Sequence, residues 1–261
     1  YNIRLCCAIL SLVEFDIFFV KKEQLCLHQS IGLGLLLTSL MFFCVFMFSQ
    51  ITWSGEWAFD FEDAKQADEW KVANGTWKIQ KGAYSEISAA EKAAHVLFGE
   101  DDWADYTVEA KIRIDANSWT GLVFRAISEY EYYVIYQEPT PGVSAFFQHH
   151  GNEWGKRARP QPNKTAIKIK KKIEVGEWYH LKVVVEGNDL KWFVNDQLQA
   201  ETKLKPVGDL DVYKKGKVGI WAWETKASFD DFKVYGPDIE GQAVEPQNKL
   251  SVTWGKLKRF Y

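Results

Sequence analysis

The chain has 261 residues, 47% hydrophobic and 15% aromatic, with a formal net charge of −3. That apolar load closes a core, which excludes a disordered or collagen-like chain. The near-balanced charge excludes a protein held to nucleic acid by bulk attraction. Cysteine and tryptophan are segregated: Cys6, Cys7, Cys26 and Cys44 all precede residue 45, and the tryptophans begin at Trp53.

Residues 1–30 carry an apolar run broken by Arg4, Glu14 and Asp16, and no function is assigned to them. Residues 31–48 (IGLGLLLTSLMFFCVFMF) are free of charge. This predicts one N-terminal hydrophobic helix within 31–53, long enough for a short membrane span. Lys21 and Lys22 precede it and no Lys or Arg follows until Lys65. The positive-inside rule then places the remainder outside the cytoplasm, secreted or at the cell surface. Thr52 and Ser54 are tolerable small residues for a signal-peptide cut, but no A-x-A precedes them, so a cleaved signal and a retained membrane anchor both fit. Beyond Cys44 the absence of cysteine excludes disulfides, thiolate metal sites and a cysteine nucleophile.

From Trp57 short alternating runs separated by turn residues predict strands. The clearest are TWKIQ (76–80), YTVEAKIRI (106–114), TGLVFRA (120–126), EYYVIYQ (131–137), YHLKVVVE (179–186), LKWFVN (190–195), KVGIWAW (217–223) and FDDFKVY (229–235). Asn74-Gly75, Lys81-Gly82 and Asn195-Asp196 mark turns between them. Only AAEKAAH (89–95) could form a short helix. Twelve to fifteen strands are expected (roughly the load of two sheets), so the prediction is an all-β, two-sheet antiparallel sandwich over 55–237. Residues 238–261 read as a linker or tail, with LSVTWGKLKRF (250–260) able to dock as a short amphipathic segment.

The succession WKVANGTWKIQKGAY, DWADYTVEAKIRI, TGLVFRA, EYYVIY, GEWYHLKVVVEGNDLKWFVNDQL and GKVGIWAWETKASFDDFKVY resembles the concanavalin A-like lectin/glucanase superfamily. Within it, the succession resembles the laminin-G-like modules of bacterial exported proteins. The resemblance covers about 57–236 and implies a jelly roll whose concave sheet most often binds carbohydrate. The 3-keto-disaccharide hydrolase domain family is similar in the same order of blocks.

Alternation gives that face its residues. Leu122, Phe124, Tyr133, Ile135, Val218 and Ile220 point to the core, leaving Arg125, Tyr132, Tyr136, Trp221 and Trp223 outward. A slip of one residue would reverse the assignment. An aromatic surface with an arginine suits glycan: rings cover pyranose C–H faces while Arg125 and the 146–160 loop, with His149, His150 and Trp154, orient hydroxyls or a carboxylate. Trp70, Trp77, Trp103, Trp178 and Trp192 are expected to plug the core or loops.

Other residues allow further readings. Residues 156–172 hold eight basic residues and no acidic one, consistent with a charged edge strand or with attraction to an anionic polysaccharide. Asp60, Glu62 and Asp63 would meet Asp230 and Asp231 if the first and last strands pair, and carboxylates so gathered suit a structural Ca²⁺. No E-x-D-x-E run is present, which argues against the retaining glucanase arrangement. If the chain is an enzyme, the candidate acids are Glu131, Glu138 and Glu153, with His149 or His150 as base. The leading expectation is a non-catalytic module whose partner is a polysaccharide or other glycan. Glycoside hydrolysis of the 3-keto-disaccharide type and protein adhesion are the alternatives. No nucleic-acid partner is expected, and membrane contact only through the N-terminal segment.

Overall fold

The structure, a computed structural model, describes residues 55–89, 92–140, 142–151, 157–158, 166–168 and 173–241. The expected hydrophobic helix, the 1–30 stretch, Glu153, Trp154 and the docking segment at 250–260 lie outside the described residues. Among those described, no helix is long and apolar enough to cross a membrane.

In chain order the strands begin with β1 (Gly55–Phe59), followed by a 3-10 helix (Ala64–Glu69) whose first backbone N–H groups are capped by Asp63. Next come β2 (Lys71–Asn74), β3 (Trp77–Gln80), β4 (Ala83–Glu86), β5 (Ala94–Phe98) and β6 (Tyr106–Ile114). The middle of the chain supplies β7 (Trp119–Ala126), β8 (Tyr132–Glu138), β9 (Val143–His149), β10 (Arg157–Ala158) and β11 (Ala166–Lys168). The last are β12 (Trp178–Glu186), β13 (Asp189–Val194), β14 (Gln197–Lys203), β15 (Lys217–Trp223) and β16 (Ala227–Gly236). AAEKAAH is thus not a helix where it is described: Ala94 and His95 open β5, whose five residues are all buried.

Two antiparallel sheets result. The first runs β14-β13-β12-β6-β16-β4-β3, with β1 also on β16; the second runs β10-β9-β8-β7-β15-β5-β2, with β11 also on β9. Turn chemistry explains the hairpins locally. Asn195 and Asp196 hold φ of 47° and 62° between β13 and β14, the left-handed pair that a two-residue hairpin requires. β11 pairs with β9 alone among the described strands, as a lysine-bearing edge strand would.

Between the sheets lies the main core. Val108, Ala110 and Ile112 of β6, Leu181, Val183 and Val185 of β12, and Phe229, Phe232 and Val234 of β16 meet Leu122, Phe124, Tyr133, Ile135, Phe146, Val218 and Ile220. The inward set inferred from alternation is therefore the observed one. Phe59, Phe61, Trp70, Tyr84, Phe98 and Phe232 pack ring against ring at one end of this core, with Phe59 and Phe98 centroids 4.9 Å apart and nearly perpendicular. Trp70, Trp103 and Trp192 are buried as expected, whereas Trp178 is 41% exposed. Alternation explains that exception. Tyr179 takes the inward position on β12 and sends its neighbour outside.

Register shifts interrupt four pairings among the described strands, and two of them bear on the site. On β16, Asp230 pairs with Lys111 but Lys233 pairs with Glu109, so Asp231 and Phe232 together oppose one residue of β6. The residues before that bulge pair with β4 and those after it with β1. On β7, Val123 pairs with Gly219 and Ala126 with Lys217, so Phe124 and Arg125 together oppose Val218.

Candidate functional site

The face of the second sheet turned away from the core carries its own aromatic cluster. Val123 and Ala126 of β7, Tyr132, Val134 and Tyr136 of β8, Ala145 and Phe147 of β9 and Trp221 of β15 form it, with Trp119, Val143 and Trp223 half-buried against it. Cross-strand register explains the gathering. One row runs Ala145, Tyr136, Gly121, Trp221 and His95 across β9, β8, β7, β15 and β5. Gly121 has no side chain between its large neighbours, and a Cβ there would lie 1.9 Å from the Ile135 carbonyl oxygen. The Tyr136 and Trp221 rings consequently lie 5.8 Å apart across it, 27° from parallel.

Tyr132 stacks on His149 at 4.4 Å, and its hydroxyl accepts the Trp221 indole N–H at 3.2 Å. His95 Nδ1 lies 2.9 Å from the Ala93 carbonyl oxygen, and its ring contacts Tyr132 at 4.9 Å. Burial pushes the His95 pKa down to about 4, hydrogen bonds to backbone opposing the shift, so the imidazole is neutral near pH 7. At the other end Trp119 and Trp223 are register partners on β7 and β15, with rings 5.9 Å apart, and Ser118 donates its hydroxyl to the Trp223 carbonyl.

The outward direction expected for Tyr132, Tyr136, Trp221 and Trp223 is observed, but the expected open surface is not. Tyr132 and Trp221 are fully buried, Tyr136 is 7% exposed and His149 1%. Of the aromatic residues expected to meet ligand, the described structure leaves only Trp223 half-open, joined by Trp119, which the sequence reading missed. Trp119 stands one residue before the run taken as a strand, in the same alternation as Gly121.

Arg125 requires a correction. The bulge inserts a residue, so Ala126 takes the outward position and Arg125, at φ 48°, turns away from that face with 1% exposure. Its guanidinium donates to the carbonyls of Ala104 (2.9 and 3.1 Å), Gly187 (2.7 Å) and Tyr213 (3.3 Å), and lies 3.4 Å from an Asp105 carboxylate oxygen. Its own N–H donates to the Tyr106 hydroxyl at 2.7 Å. It is a tie for loops, not a ligand contact.

The calcium expectation finds no support among the described residues. β1 and β16 do pair, but the carboxylates are otherwise engaged. Asp60 accepts from the Gln66 side chain at 2.8 Å, which is the main influence holding its pKa below the ordinary value. Asp231 pairs with Lys111 at 2.6 Å. Burial raises the Asp230 pKa, the Asp231 backbone N–H opposing the shift and the nearby Glu62 charge adding to it. Among the described residues no group of three or more His, Cys, Asp or Glu is arranged to hold a metal ion. The expected Asp60, Glu62 and Asp230 set does not form one.

The candidate acid–base groups are spread out. Glu138 lies two residues beyond Tyr136 on β8, half-buried, and pairs with Val143. His149 pairs with Tyr132 at the opposite end of the same two strands. Six residues of strand separate the two pairs, ~20 Å at the usual rise, too far for Glu138 and His149 to serve one bond. Glu131 lies near His149 but is turned to the Ser128 hydroxyl at 3.4 Å.

A two-sheet antiparallel sandwich with an aromatic outer face is the class that the fold defines, in agreement with the concanavalin A-like resemblance. The chain belongs to the 3-keto-alpha-glucoside-1,2-lyase-like domain family, which it matches over residues 56–235. No curated protein sequence matches it. Among solved structures it is similar to the carbohydrate-binding module CBM66 from Bacillus subtilis, at 22% identity and a TM-score of 0.53, over 63% of this chain and 94% of that one. A prokaryotic β-1,3-1,4-glucanase (lichenase) derived from a mouse hindgut metagenome matches at 10% identity and a TM-score of 0.48, over 70% of this chain and 99% of the other. Family membership ties the chain to carbohydrate-related function.

Proposed function

We propose that the protein is an exported module that binds glycan, without catalysis, on the outer face of its second sheet. Trp119 and Trp223 form the stacking surface. The observation that carries this reading is their position: two half-buried indoles at the open end of a face whose other rings are sealed against one another. A pyranose laid on them would cover apolar ring area without displacing the buried cluster. Neutral His95 and the Tyr132–Trp221 hydrogen bond hold the cluster from beneath. The charge-free run at 31–48 after Lys21 and Lys22 supports export, either secreted or anchored. Shallow stacking sites give weak affinity singly and gain on a polymer by multivalency.

Hydrolysis is the second reading, favoured by the family match and by Glu138, the carboxylate on the outer face at the tryptophan end. One experiment decides between them. The full chain is titrated against a panel of oligosaccharides, including a 3-keto-glucoside, with retention and released product measured together. Binding without product, weakened at least tenfold in Trp223→Ala and Trp119→Ala at unchanged melting temperature, supports the module. Product release abolished in Glu138→Gln with binding retained replaces it by the hydrolase. Binding unaffected by either tryptophan substitution overturns the site.

A further inference from the structure

The first sheet carries a second, separate depression on its own outer face. Register places Trp178, Arg113, Ser228, Ser85 and Lys78 in one row across β12, β6, β16, β4 and β3. Paired residues in an antiparallel sheet share a face, so these side chains are neighbours. The row is high at its Trp178 end and low in the middle. Ser85 and Ser228 are 3% and 4% exposed and floor a cavity of about 220 Å³ walled by Trp178, Arg113 and Lys226.

The chemistry of the row is directional. Arg113 lies over the Trp178 ring at 5.1 Å, donates to Ser228 Oγ at 3.2 Å and approaches Asp115 at 3.5 Å. Ser85 Oγ and Ser228 Oγ are 3.0 Å apart. A guanidinium has no acceptor, so Ser228 must receive its hydrogen. One serine then donates to the other, and whichever way that bond runs, one hydroxyl hydrogen of the pair remains for an acceptor, polarised by the arginine. The charges point the same way. Lys81, Arg113 and Lys226 border the cavity against Asp115, while the buried Glu86 carboxylate is taken up by the N–H groups of Thr76, Ser88 and Ala89.

We propose that this depression binds a uronic acid residue of a glycan. The sugar ring stacks on exposed Trp178, and the carboxylate takes the free serine hydrogen and the arginine charge. A neutral sugar would satisfy the stacking but leave Lys81, Arg113 and Lys226 facing only Asp115 and the N–H-bound Glu86, one negative charge short of balance. The site lies on the sheet opposite Trp119 and Trp223, and does not depend on the reading given for them.

The test uses the full chain titrated with trigalacturonate and, in parallel, with neutral galactotriose, followed by calorimetry. Trigalacturonate is expected to bind, more weakly as salt rises. The affinity should fall at least tenfold in Trp178→Ala and in Ser85→Val, and stay within twofold of wild type in Lys203→Ala, an exposed lysine on β14 outside the row. Trp178 is exposed, so its alanine variant should melt within a few degrees of wild type, which separates loss of binding from loss of fold. Equal binding in Trp178→Ala, equal affinity for galactotriose, or no binding of trigalacturonate by the wild-type protein overturns the proposal.

Discussion

His95 shows how one residue couples the outer face to pH. Its ring is fully buried beside Tyr132, with a pKa near 4 against an ordinary value of 6.5. In the unfolded chain the imidazole takes its proton first as pH falls. The stability it contributes is therefore intact above about pH 6.5 and is lost progressively down to about pH 4. The loss is on the order of 3 kcal/mol, because each pH unit between those two values carries about 1.4 kcal/mol. Replacing it by glutamine, His95→Gln, removes the titration and leaves the carboxylates alone. Urea midpoints of the two proteins, followed from pH 7.5 to 4.5, should converge as pH falls; parallel curves would show that His95 accepts its proton in the folded state. Tyr133 and Tyr84 are also buried, each pushed up to about 12, so neither titrates in that window.

At the scale of elements, the β7 bulge converts an expected ligand contact into a structural tie. Arg125 joins the turn before β6, the β12–β13 turn at Gly187 and the segment before β15 at Tyr213. Burial lowers its pKa, with nearby Tyr106 and Asp105 opposing the shift. Arg125→Met would keep the volume and strand three carbonyls, costing roughly 2–4 kcal/mol through unsatisfied buried acceptors. Arg125→Lys should recover only part of the loss, because an ammonium lacks the planar fork that reaches several carbonyls at once. Denaturant midpoints of the three proteins check the order; a methionine variant as stable as wild type would remove the tie. The same bulge marks where the sequence stopped being legible. Period-two alternation revealed the strands and their inward set, because burial of Leu122, Phe124, Tyr133 and Ile135 requires that spacing. It also revealed the outward set of Tyr132, Tyr136, Trp221 and Trp223. It did not reveal the extra residue at Arg125, since a bulge changes the count without changing the pattern before it. Nor did it reveal that Tyr132 and Trp221 are sealed, because that depends on rings from different strands closing over Gly121. The row of Trp178 with Arg113 and the two serines depends on which strands become neighbours, and no local pattern states that.

At the scale of the molecule, the order of strands makes the end of the sandwich sequence essential to its middle. β16 is the last of the described strands, yet it sits between β6 on one side and β4 and β1 on the other. Its inward Phe229, Phe232 and Val234 belong to the central core. Removing it would open the edges of β6, β4 and β1 together and uncover that core, leaving unpaired backbone groups that template aggregation. The pairing of β1 with β16 spans nearly the whole domain, so closure of the first sheet is a non-local event and folding should be slow compared with a helical protein of this size. Truncation after Thr225 is therefore expected to abolish the cooperative thermal transition and send the chain into aggregates. Truncation after Gly241 keeps Ile239 in the core and the Glu240 carbonyl that accepts the Trp57 indole N–H at 2.7 Å. That shorter protein should melt within a few degrees of the full chain. Calorimetry of both truncations tests the argument: cooperative melting of the Thr225 form would mean that the remaining strands close a core without β16, and the placement of β16 at the centre of the first sheet would then be wrong.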